Sequence, residues 1–73
     1  MNTMQQLISQ ADQNRQPGKR YSAAASDTAA GRIVCHRDFS IYKKGMPNHA
    51  RTTWKLNGKT ISAASLQAII STL

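Results

Sequence analysis

Near the C-terminal end, Arg51-Thr52-Thr53-Trp54-Lys55-Leu56-Asn57-Gly58-Lys59-Thr60-Ile61-Ser62 leaves the chain little conformational choice. Both central residues of a type I′ turn need positive φ, and Asn-Gly is the pair that adopts it most cheaply. Asn57-Gly58 therefore predicts a two-residue hairpin. Its register follows: Leu56 opposes Lys59, Lys55 opposes Thr60, and Trp54 opposes Ile61. Trp54, Leu56 and Ile61 share the face that must meet a core. Arg51, Thr53, Lys55 and Thr60 fall on the other. A one-residue slip would invert this sorting, so one register is strongly favoured.

Ser62 is placed to cap a helix. Leu66, Ile69, Ile70 and Leu73 then follow the i, i+3, i+4, i+7 spacing of a helix packed on a sheet. Upstream, Arg32 to Lys44 carries Ile33, Val34, Cys35, Phe39, Ile41 and Tyr42, types that suit strands. Ile33, Cys35, Phe39 and Ile41 share one parity, which Arg37 breaks. A bulge or bend near 37–38 is the expectation. Residues 43–49, punctuated by Gly45 and Pro47, read as a loop.

At the other end, Met4, Leu7, Ile8 and Ala11 have helical spacing, with Asn2 or Thr3 as N-cap. A short amphipathic helix is expected within residues 1–14. Residues 15–31 offer a Pro17-Gly18 turn and then Ala, Ser and Thr with nothing large to bury. This stretch reads as a linker, with a short helix as the alternative. The expected architecture is α+β: a three-stranded antiparallel sheet and a C-terminal helix over 32–73, preceded by a short N-terminal helix, in the order α-β-β-β-α. Helices on one sheet face would leave the other in water.

The chain has 73 residues, one small domain with a marginal core. A single cysteine excludes an internal disulfide, and Cys35 is expected as a small core hydrophobe. No apolar run is long enough to span a membrane, and the N-terminus lacks the positive start of a signal peptide. A cytoplasmic location is the expectation.

Ten Lys and Arg stand against three Asp and no Glu, a formal charge of +7. Residues 31–73 hold seven of the cations and one of the acids. Such a field attracts polyanions. Arg51, Thr53 and Lys55 alternate on the solvated side of one predicted strand. Lys59 flanks the turn, and Lys43 and Lys44 occupy the adjoining loop. These six are the candidate phosphate contacts, since guanidinium, ammonium and hydroxyl donors suit phosphate oxygens. Nucleic acid, DNA or RNA, is the expected partner. An acidic protein surface met by an inhibitor or adaptor module is the alternative.

No cofactor, metal site or catalytic residue is expected. His36-Arg37-Asp38 echoes a kinase catalytic loop, but 73 residues cannot supply the nucleotide cradle and metal ligands of phosphoryl transfer. Cys35 and His36, adjacent on a strand, should point to opposite faces and not share a metal. His36 and Asp38 share a face and could pair. Trp54 is expected as a core anchor rather than a base-stacking platform.

The Trp54-x-Leu56-Asn57-Gly58-Lys59-x-Ile61 hairpin, within three strands and a helix, resembles the DNA-binding domains of AP2 type and the arm-binding domains of phage integrases. That resemblance implies major-groove reading by Arg51, Thr53 and Lys55. With the N-terminal helix included, the order is similar to double-stranded-RNA-binding folds and to the small mRNA-interferase toxins. The toxins use a Gly-Ser-His stretch where this chain has Val34-Cys35-His36. The resemblance carries over His36 alone, and with it a small ribonuclease as the least favoured reading. A shared fold does not by itself establish any of these functions.

Overall fold

A computed structural model describes residues 3–40 and 50–73. The elements are α1 (Thr3–Asn14), β1 (Tyr21–Thr28), β2 (Gly31–Asp38), β3 (Arg51–Leu56), β4 (Lys59–Ile61) and α2 (Ala63–Ile70). The strands form one antiparallel sheet in the order β1-β2-β3-β4. The class is α+β as expected, with four strands rather than three.

The closing hairpin forms as its Asn-Gly pair dictates. Asn57 has φ 52° and Gly58 φ 83°. Trp54 pairs with Ile61, Lys55 with Thr60 and Leu56 with Lys59. Ser62 caps α2, its hydroxyl accepting the Ser65 N–H at 3.2 Å. Helix α2 stops at Ile70, where the Ser71 N–H bonds back to the Gln67 carbonyl. The Thr72 and Leu73 N–H groups then make tighter i→i−3 bonds to Ile69 and Ile70. Leu73 therefore leaves the expected apolar stripe and is exposed, while Leu66 is fully buried.

The additional strand is β1, in the segment expected as a linker. Ala and Ser have little intrinsic preference for strands, and Ser22-Ala23-Ala24-Ala25-Ser26 has no apolar–polar contrast to announce one. Pairing decides it, because β2 supplies a full ladder from Tyr21↔Asp38 to Thr28↔Gly31. The connecting turn is held by Thr28, whose Oγ1 donates to the Gly31 carbonyl and accepts the Ala30 N–H.

Both helices cover the same sheet face. Its core is Met4, Leu7 and Ala11 from α1, Ala24 from β1, Ile33 and Cys35 from β2, Trp54 from β3 and Leu66 from α2. Small residues where α1 meets β1, Ala11 against a face bearing Ala24, let helix and strand approach closely. Trp54 takes its expected place in the core.

No bulge interrupts β2 at 37–38, and the pairing with β1 and β3 runs unbroken to Asp38. Arg37 keeps the inward parity of Ile33 and Cys35. The helix resolves the conflict: Arg37 Nε donates to Asp12 Oδ1 at 2.8 Å, and its Nη2 to Asp12 Oδ2 at 3.3 Å. Its Nη1 donates to Thr52 Oγ1 at 2.6 Å. The planar guanidinium suits this two-pronged carboxylate contact and fastens α1 to the sheet. Beyond Asp38 the strand gives way to a turn, with the Ser40 N–H bonded to Asp38 Oδ1 at 2.8 Å. The expected continuation through Ile41 and Tyr42, and the loop at 43–49, lie outside the described residues. Among the described helices, none is long and apolar enough to cross a membrane.

Candidate functional site

With both helices on one face, the other face of the sheet carries no helix or strand among the described residues and is open to that extent. Side-chain alternation and the observed register determine what it displays. Tyr21, Asp38 and Arg51 form one row across β1, β2 and β3. Ala23, His36 and Thr53 form the next. Ala25, Val34, Lys55 and Thr60 form a third, followed by Asp27 beside Arg32. Arg51 and Lys55, four residues apart on β3, are separated by about 14 Å at ~3.4 Å per residue, with Thr53 midway.

Three of the six candidate phosphate contacts, Arg51, Thr53 and Lys55, therefore share one solvated surface. Lys59 does not join them. It pairs with Leu56 and so has the helix-side parity, at the exposed edge strand β4. Lys43 and Lys44 lie outside the described residues. In their place the structure adds Arg32, His36 and Tyr21 to the open face. Arg32 and His36 were legible from the parity opposite Ile33 and Cys35. Tyr21 was not, because it depends on recognising β1.

The open face is less basic than the linear sequence implies. Among its described side chains, Arg32, Arg51 and Lys55 face two aspartates. Asp27 lies 3.6 Å from Arg32 in a solvent-exposed pair that contributes little. Asp38, directly opposite Arg51, has its carboxyl held below the ordinary value, first by hydrogen bonding from Ser40 and then by the Arg51 charge. His36 is exposed on this face and Cys35 is buried on the other, so the two diverge as strand geometry requires. Burial pushes the Cys35 thiol up to about 11, which leaves it a packed apolar group rather than a nucleophile.

A second concentration of cations lies at one end of the sheet, where β1 begins, β2 ends and β3 begins. The Arg20 carbonyl accepts the Phe39 N–H at 2.7 Å, which extends the β1–β2 ladder by one pair. The Arg15 guanidinium stacks over the Phe39 ring, 4.0 Å from its centroid, and its Nε donates to the Lys19 carbonyl at 3.0 Å. Arg37 approaches the same ring at 5.6 Å. Arg15, Lys19 and Arg20 thus gather at the sheet end that Arg51 also occupies. No local pattern marks this group, because residues 1–30 carry little net charge and the strand that brings them to the sheet has no apolar–polar contrast.

Among the described residues, no three His, Cys, Asp or Glu side chains come together as metal ligands. No family model matches the chain, and neither a curated protein nor a solved structure matches it.

Proposed function

We propose that this protein binds nucleic acid, contacting phosphates from the open sheet face and its cationic end. The observation that carries the reading is the placement of Arg51, Thr53 and Lys55 on one helix-free face. Arg15, Lys19 and Arg20 adjoin its Arg51 end. A net charge of +7 supplies long-range attraction for a polyanion. Guanidinium and hydroxyl donors give short-range contacts to phosphate oxygens. Tyr21, 67% exposed at the corner of the face, offers a ring on which an unpaired base can stack. Single-stranded substrates gain from that ring, whereas duplexes use the cations alone. The role is that of a binding or regulatory protein rather than an enzyme.

A salt titration of binding to duplex DNA, single-stranded DNA and duplex RNA tests this. On duplex DNA, log affinity should fall against log salt with a slope of about −0.9 per phosphate neutralised, and about −0.7 on single strands. An Arg51→Ala/Lys55→Ala variant should keep its fold, weaken binding and lower the slope by roughly two contacts. Absence of binding at low salt, or an unchanged slope in the folded double variant, would reject the proposal.

A further inference from the structure

The sheet has two edges, and they differ. Strand β4 is three residues long and carries Lys59. Strand β1 is eight residues long, and among them only Asp27 is charged. Long edges are usually protected by lysine, proline or a bulge, because their outward N–H and C=O groups recruit another strand. Strand β1 has none of these devices.

The hydrogen-bond phase identifies which groups face outward. The Phe39 N–H to Arg20 carbonyl bond makes that pair a bonded one. Alternation then turns Ser22, Ala24, Ser26 and Thr28 towards β2, and Tyr21, Ala23, Ala25 and Asp27 towards the free edge. The Ala23 carbonyl agrees with this phase, since it accepts the Asn14 side-chain amide at 3.0 Å from outside the ladder. Its second lone pair remains for a strand partner.

From this edge we propose that two copies of the chain pair antiparallel through β1, about a two-fold axis at Ala24. Ser22-Ala23-Ala24-Ala25-Ser26 reads identically in both directions. A two-fold interface must be self-complementary, and this segment is. The axis at Ala24 sets Ala23 opposite Ala25 of the second copy, with both outward-facing pairs bonded. Tyr21 falls opposite Asp27 of the second copy on the open face. Ser22 falls opposite Ser26 of the second copy on the helix side.

Two further observations favour this occupant. The Ser22 hydroxyl is buried and has no hydrogen-bond partner among the described residues. Rotation about χ1 would direct it across the edge to the facing serine, a recognised cross-strand pair. Alongside the edge, a shallow groove of about 410 Å³ is lined by Thr3, Gln6, Gln10 and Gln13 of α1 with Ala25 and Ser26 of β1. Among the described residues its lining contains no charged side chain. Copies carrying +7 each repel over most of their surface, and this neutral flank lets them approach. The two sheets would then join into one of eight strands, with both open faces on the same side. The pairing does not rest on the nucleic-acid reading.

Sedimentation equilibrium from micromolar to millimolar protein tests the pairing. The expected mass rises with concentration from 8.0 kDa towards twice that value. Ala25→Pro deletes one outward N–H from each copy, at a position where an edge strand tolerates proline. Losing those two bonds should weaken association roughly thirtyfold. Gln10→Lys, on the exposed face of α1, should also weaken it by placing like charges beside the seam, and added salt should partly restore it. A monomer at every concentration overturns the proposal. So does a dimer that tolerates both substitutions, because its contact then lies elsewhere.

Discussion

Gly31 links the two hairpins, and Gly31→Ala puts a figure on that link. Gly31 sits at φ 130°, a backbone region that only glycine adopts without strain. A Cβ there would overlap the Asn57 carboxamide, which reaches across from the β3–β4 turn. That carboxamide is engaged: Asn57 Oδ1 accepts the Arg32 N–H at 3.0 Å, and the Asn57 N–H returns a 2.9 Å bond to the Arg32 carbonyl. The substitution therefore costs about 1–3 kcal/mol in backbone strain. Displacing the side chain loses a hydrogen bond of about 1 kcal/mol. The sum, roughly 2–4 kcal/mol, is a large share of the ~4–11 kcal/mol expected for 73 residues. Thermal unfolding followed by circular dichroism should show a fall in Tm of roughly 10–30 °C. Gly58→Ala is the control, because φ there is also positive but a Cβ meets open space. It should pay the strain alone. Asn57→Gly keeps the turn geometry and removes the carboxamide, so Gly31→Ala in that background should cost about 1 kcal/mol less. If Gly31→Ala is no more harmful than Gly58→Ala, or shows no coupling to Asn57→Gly, the wedge has no energetic consequence and the reasoning fails.

Leu66→Ala removes the one fully buried anchor of α2 and should cost about 2–5 kcal/mol. A red-shifted Trp54 emission should accompany it, since the indole shares that core; unchanged stability and emission would contradict the packing. Cys35, with its thiol pushed up to about 11 by burial, should resist thiol reagents at mildly alkaline pH until the protein unfolds. Equal labelling rates in native and denatured protein would show that the site is open.

Much of the second half of the fold was legible because its signals are local. Asn57-Gly58 specifies a turn, and the turn sets the register that sorts Trp54 from Lys55. Ser62 marks a helix start by the reach of its own hydroxyl. Alternation in β2 identified Ile33 and Cys35 as core and separated Cys35 from His36. The same logic placed Arg51, Thr53 and Lys55 on one surface.

What the sequence determined by itself, then, is whatever depends on φ preferences, capping and side-chain periodicity within a few residues. Strand β1, the inward Arg37 and the true charge of the open face needed the tertiary structure. Ser22-Ala23-Ala24-Ala25-Ser26, the middle of β1, has small side chains without contrast, so its conformation is set by the ladder of β2 and the close approach of α1. Arg37 is held on an apolar parity by Asp12, 25 residues away in the chain on α1, and by the Thr52 hydroxyl on β3. The open face is less basic than a count of charges along the chain implies: Asp38 shares the local parity of His36, but Asp27 returns to the face only through the β1 pairing, which no local pattern encodes. These features rest on contacts between distant segments, whose energies are realised only once the sheet and helices are assembled.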